Sequence, residues 1–272
     1  MSLENFFPYN EMTIESDTTI GACVRIPKIY IKGSENSEGL ITREISKTEK
    51  PGFHCHPAFM QNGLERDAIL IASNPSATNM SFADAQNEVE NLPVDGIKQL
   101  TKGTTFGTWQ KMKDVHMYNI YEHHLMALLM LIEYGTTNIT TTIYHGINYN
   151  WSNEFEWIDG IKTNETNVLI YDNKGNFEYK TLTAKTGKSG YIKDLLNIKN
   201  NDIDTNDIFI MEIGTENEIE GSYGVRQDLN FNNSPIMINT NYPEILVNPF
   251  TLATDEYSGK YRLAKFADNP EE

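Results

Sequence analysis

The chain has 272 residues, with 22 Lys plus Arg against 38 Asp plus Glu and a formal net charge of −16. A surface that acidic repels phosphate backbones and anionic lipid, which argues against nucleic acid or membrane surfaces as partners. Hydrophobic residues at 39% supply a core, and the longest apolar run, 125–132, is far short of the roughly 18 residues of a membrane span.

Residues 1–20 read as an N-terminal extension before a single domain over 21–268, which contains a loop-rich excursion at 160–256. No basic stretch leads into an apolar one at the start, so no signal peptide is expected. Residues 22–32 (ACVRIPKIYIK) have strand character, with Pro27 marking an edge position or a bulge. Further strands are predicted at 40–46 and 68–73, with a hairpin-like connection over 33–39. Ser81, with Asp84 three residues on, predicts a helix running to about residue 92, before Pro93. A second helix is predicted over 114–134, with Asp114 as N-cap and Gly135 just past its end. Its last two turns are apolar all round, which places them in the domain centre. Beyond Gly135, strand-like pieces at 140–144, 155–158, 168–171, 208–213, 236–238 and 261–266 alternate with long polar loops. Of the 29 asparagines 20 fall in this half, and they suit turns because the side chain bonds its own backbone. No repeat or linker divides the chain, so the economical fold is one α+β domain with a loop-rich C-terminal half.

Gly187-Lys188-Ser189 matches the end of a phosphate-binding loop, but Leu182 stands where the cradle needs its first glycine. Asp202, Asp204 and Asn206 begin like a calcium loop, yet Asp207 replaces the turn glycine and Ile213 the closing glutamate. A solvated acidic turn is the simpler reading. Calcium held loosely by backbone carbonyls is the one cofactor left open. His54-Cys55-His56 alternates imidazoles with a thiol, but zinc needs two more ligands and none is suitably spaced. His116 and His123, on the expected helix, lie roughly 10 Å apart along its axis, too far to share a metal. These histidines are read as core or partner-bonded, and Cys23 and Cys55 as small buried thiols. Glu154, Glu156 and Asp159 surround Trp157, but carboxylates on one strand face are neighbours rather than the opposed pair of a glycosidase. With no G-x-S-x-G and no dinucleotide fingerprint, no catalytic residue and no metal ligand is assigned.

Four stretches carry a resemblance. The first joins Val24-Arg25-Ile26-Pro27-Lys28-Ile29-Tyr30-Ile31-Lys32 to Pro51-Gly52-Phe53-His54-Cys55-His56-Pro57-Ala58-Phe59 and Gly63-Leu64-Glu65-Arg66-Asp67. The second is Trp109-Gln110-Lys111-Met112, entering the long helix. The third is Gly146-Ile147-Asn148-Tyr149-Asn150-Trp151-Ser152-Asn153-Glu154-Phe155-Glu156-Trp157-Ile158-Asp159-Gly160, and the fourth Ser258-Gly259-Lys260-Tyr261-Arg262-Leu263-Ala264. In that order they resemble phage tail and virion proteins with the C-type-lectin-like fold, related to the formylglycine-generating (sulfatase-modifying) enzyme. Asn150 and Ser152 stand where that family has Pro and Gly, and Phe155 where it has Trp. The family's Gly-Gly-Ser-Trp segment has no counterpart near Asn239-Thr240-Asn241-Tyr242. No cysteine follows Cys55, so the resemblance implies the fold without the generating enzyme's oxidase chemistry.

The resemblance implies two helices on a small antiparallel sheet whose first and last strands lie side by side, pairing 24–32 with 261–266. Trp109, Trp151, Glu156 and Trp157 become structural residues. Trp151 and Trp157 would bracket a strand buried on the long helix, with Glu156 meeting a backbone or hydroxyl partner. Loops projecting from such a body suit recognition. The expected function is therefore non-enzymatic: a virion tail or fibre-tip protein that binds a bacterial surface receptor, with a glycan as ligand class. Its binding residues would be Tyr223, Arg226, Asn230, Asn232, Asn233, Asn239, Asn241 and Tyr242, whose aromatic and amide groups suit adaptable polar contact. The alternatives are a structural capsid or collar decoration protein and a surface-polysaccharide hydrolase. Other virion proteins and further copies of the chain, a trimer by analogy, are the remaining expected partners.

Overall fold

The computed structural model describes residues 3–35, 41–61, 63–92, 114–134, 142–148, 155–164, 167–171, 179–182, 234–239, 250–252 and 257–267. In chain order these form β1 (Thr13–Asp17), β2 (Gly21–Pro27), β3 (Tyr30–Glu35), β4 (Ile41–Ser46), β5 (His54–Cys55), β6 (Met60–Gln61), β7 (Leu64–Glu65), β8 (Ala68–Ala72) and α1 (Phe82–Glu90). There follow β9 (Val115–Met117), α2 (Ile120–Tyr134), β10 (Ile143–Tyr144), β11 (Ile147–Asn148), β12 (Phe155–Asn164), β13 (Asn167–Tyr171), β14 (Tyr179–Leu182), β15 (Ser234–Asn239), β16 (Phe250–Leu252) and β17 (Leu263–Phe266). The class is α+β: the strands pair antiparallel in sheets ordered β1-β2-β8-β17-β9, β14-β13-β12-β15-β16 and β4-β3-β5, beside the two-stranded pairs β6-β7 and β10-β11.

All five residues of β8 (AILIA) are buried, as an apolar run without alternation requires of a strand covered on both faces. It accordingly sits mid-sheet, where Ile71 faces Val24 of β2 on one side and Ala264 of β17 on the other. The α2 helix, buried throughout residues 120–130, packs with Ile26, Ile69, Ile71, Phe59 and Ile158 into the main core. Its final turn reaches the surface at Tyr134. Ser81 caps α1 as expected, accepting from the Asp84 amide at 3.1 Å and donating to its carboxylate at 2.7 Å.

Several expectations are corrected. The stretch 22–32 is two strands, because Pro27 has no N–H to give and the next amide, Lys28, donates out of the ladder to the Asp67 carbonyl at 2.8 Å. The first and last strands share a sheet without touching: β8 lies between β2 and β17. Residues 13–17, within the expected extension, form β1 and pair along β2. The long helix begins at Ile120, not Asp114. Residues 115–117 instead join β17 as β9, which removes His116 from the helix. Asn119 is the cap, accepting from the Tyr121 and Glu122 amides at 2.9 and 3.2 Å while Glu122 accepts from the Asn119 amide at 2.8 Å. Trp157 packs on α1 rather than α2. It meets Phe82 edge-on at 5.4 Å among Ala85, Val89, Met117 and Tyr261, and its neighbour Ile158, facing the opposite way, takes the α2 side.

Candidate functional site

Of the expected binding residues, Tyr223, Arg226, Asn230, Asn232, Asn233, Asn241 and Tyr242 lie outside the described residues, as do Trp109 and Trp151 and the strand expected at 208–213. Asn239 ends β15, opposite Phe155 on β12. Segment 240–249 joins β15 to β16, which are themselves paired with Ile238 opposite Phe250. Asn241 and Tyr242 fall between these two strands in sequence.

The frame carrying β12 is locked by one buried arginine. Arg262 is 1% exposed. It donates through Nε to Glu156 Oε1 at 2.7 Å and through Nη2 to Glu156 Oε2 at 3.1 Å. Nη1 reaches the Ala72 and Ser73 carbonyls at 2.7 and 3.0 Å, and Nη2 the Asn148 carbonyl at 2.8 Å. A guanidinium has five N–H donors, and these contacts use them all. Glu156 was expected to meet a backbone or hydroxyl group. It meets a cation instead, because a buried carboxylate is tolerated when charge-paired and bidentate. Main-chain bonds reinforce the junction: the Trp157 amide donates to Lys260, and the Tyr118 amide to Arg262, each at 2.7 Å.

Two buried histidines beside this frame hold opposite protonation states. His116 Nδ1 faces the Asp114 carbonyl at 3.1 Å, and its Nε2 bonds the Glu122 carboxylate. Both partners are acceptors, so the ring is an imidazolium with both nitrogens donating. Burial alone would lower its pKa. Glu122 outweighs that, by charge and by hydrogen bond, and the net shift is upward. The contribution of such a group is complete below about pH 6.5 and is lost as pH rises through the raised folded value. Stability from urea unfolding should therefore decline on the alkaline side, and His116→Gln should flatten that limb. An unchanged alkaline slope in the variant would refute the charged assignment. His123 behaves oppositely, with burial bringing it down to about 4.

His56, 0% exposed, lies 2.8 Å from His124 (Nε2 to Nδ1), and its Nδ1 accepts from the Ala58 amide at 3.1 Å. His145 sits at φ +46° in the β10–β11 turn, stacked on Tyr9 and 2.9 Å from the Glu133 carboxylate. Gly146 follows at φ +100°, where a Cβ would come within 2.9 Å of Ile14 Cγ1, so glycine is required there. Among the described residues, no group of three His, Cys, Asp or Glu could hold a metal ion. Cys23 is buried, Cys55 is half-buried, and no disulfide joins them.

No protein-family model, curated protein or solved structure matches the chain. Sequence reasoning missed the Arg262–Glu156 clasp and the His56–His124 pair. The available sign of the first was an arginine set between Tyr261 and Leu263 at the start of the closing strand.

Proposed function

We infer that the chain is a non-enzymatic virion protein of C-type-lectin-like fold, a tail or fibre-tip module that binds a bacterial surface glycan. The observation that carries this reading is the clasped frame. The sheet holding β2, β8 and β17 is tied through Arg262 to β12, and β12 pairs with β15, which the expected binding residues flank in sequence. A rigid frame next to polar and aromatic sequence suits recognition. The non-enzymatic part is supported, among the described residues, by Glu156, the acidic-cluster carboxylate that a hydrolase would use, being held by Arg262 through both of its oxygens.

The test is binding of the intact protein to whole bacteria and to a panel of bacterial surface polysaccharides. Combined alanine replacement of Tyr223, Arg226, Asn230, Asn241 and Tyr242 should reduce binding at least tenfold with the melting temperature retained. Equal binding by the variant rejects the site, and release of reducing sugar from the polysaccharides by the wild type rejects the non-enzymatic reading.

A further inference from the structure

The turn at Pro57–Phe59 is held onto α2 by a hydrogen-bond chain with one direction. Ala58 N–H donates to His56 Nδ1, and a backbone amide only donates, so that nitrogen carries no hydrogen. His56 therefore holds its hydrogen on Nε2 and donates it to His124 Nδ1. His124 in turn carries its hydrogen on Nε2. No acceptor of the pair is left to receive a proton. Protonating His56 sets an N–H against the Ala58 amide, and protonating His124 sets one against His56. Both rings are buried, at 0% and 7% exposure, so an added charge would also be stripped of water.

We propose that this imidazole pair is an acid-opened latch, in which proton uptake by His56 and His124 releases the Pro57–Phe59 turn and β5 from α2. Among the described residues, the charges that act on His56 are those of His124 and His54, both bases, and the acidic groups of the neighbouring elements are held by other partners. From β5, His54 brings a further base. The turn (Pro57, Ala58, Phe59) and β8 bring no titratable side chain. From β3, Tyr30 donates its hydroxyl to Glu65 at 2.7 Å. On α2, Glu122 is committed to His116 and Asn119, and His123 lies edge-on to Tyr118. From β12, Glu156 is held by Arg262 and Asp159 acts on His116. Burial, then His124 and His54, hold His56 well below its ordinary value. A depressed base contributes stability above about pH 6.5 that is lost as pH falls, the reverse of His116. Opening exposes Phe59, fully buried when closed, and the α2 face beneath it.

Amide hydrogen exchange on the full chain between pH 7.5 and 5 tests the latch. The reporters are the His56 amide, bonded to Ile29, the Phe59 amide, bonded to His56, and the Arg66 amide, bonded to Phe59. Their protection, corrected for intrinsic rates, should hold down to about pH 6.5 and below it fall by about tenfold per pH unit for each proton taken up, about a hundredfold when both rings charge. His56→Asn keeps an acceptor for the Ala58 amide and does not titrate, so its fall should be no steeper than about tenfold per unit. The same steep dependence in wild type and variant overturns the proposal. Should the variant not fold, imidazole nitrogen NMR of the wild type at pH 7.5 decides. Neutral Nε2–H forms for His56 and His124 support the latch, and a charged or Nδ1–H His56 overturns it.

Discussion

Replacing Arg262 with methionine should destabilise the protein by about 3–5 kcal/mol, read as a lowered urea midpoint. Methionine fills similar space but donates nothing. Glu156 is then a carboxylate, 4% exposed, without its cation, and the carbonyls of Ala72, Ser73 and Asn148 lose their donors. The physics also sets the order of the variants. Glu156→Gln alone should cost less, because the guanidinium keeps its three carbonyls. The double variant Arg262→Met, Glu156→Leu should recover part of the single loss, since the isolated charge has gone. A single-variant cost under about 1 kcal/mol would mean water reaches Glu156 and the clasp is not what holds β12 in place.

Trp157→Ala should cost a similar amount, about 3–5 kcal/mol, through the cavity left where the ring meets Phe82 and through the Met80 carbonyl that loses the indole N–H at 2.9 Å. At roughly 2–4 °C per kcal/mol, calorimetry should show a drop on the order of 10 °C. Trp157→Phe should fall in between, keeping most of the apolar contact without the hydrogen bond. Because Phe82, Ala85 and Val89 dock on this ring, α1 should be the element whose amides lose protection first. Uniform loss across β8 and α1 together would instead mean that the small cluster and the main core unfold as one unit.

What could be read beforehand follows from how local each cause is. The runs AILIA and the apolar stretch of α2 announced buried elements because composition alone decides burial there. The Ser81 cap was legible because donor and acceptor lie three residues apart. The helix start was misplaced because two acidic or amide caps, Asp114 and Asn119, compete in sequence. The β17 ladder, which claims Val115–Met117, is a tertiary fact. Strand alternation gives a residue's face and not its neighbour, so the first and last strands were set side by side with β8 left out. Glu156 and Arg262 are 106 positions apart, and His56 and His124 are 68, distances over which no local pattern speaks. Within the expected binding set only Asn239 falls among the described residues, at the end of β15.

The position of β17 bears on how the molecule comes into being. Ala264 must find Ile71, and Arg262 must reach Ala72, 190 positions upstream, before the central sheet is whole. On the ribosome, β2 and β8 therefore wait with one flank of β8 open until residue 266 has emerged, a long interval during which an apolar edge is offered to other nascent chains. Folding dominated by such distant pairing is slow. Expression at lowered temperature, or with a holdase present, should accordingly raise the soluble yield more than any change on the acidic surface.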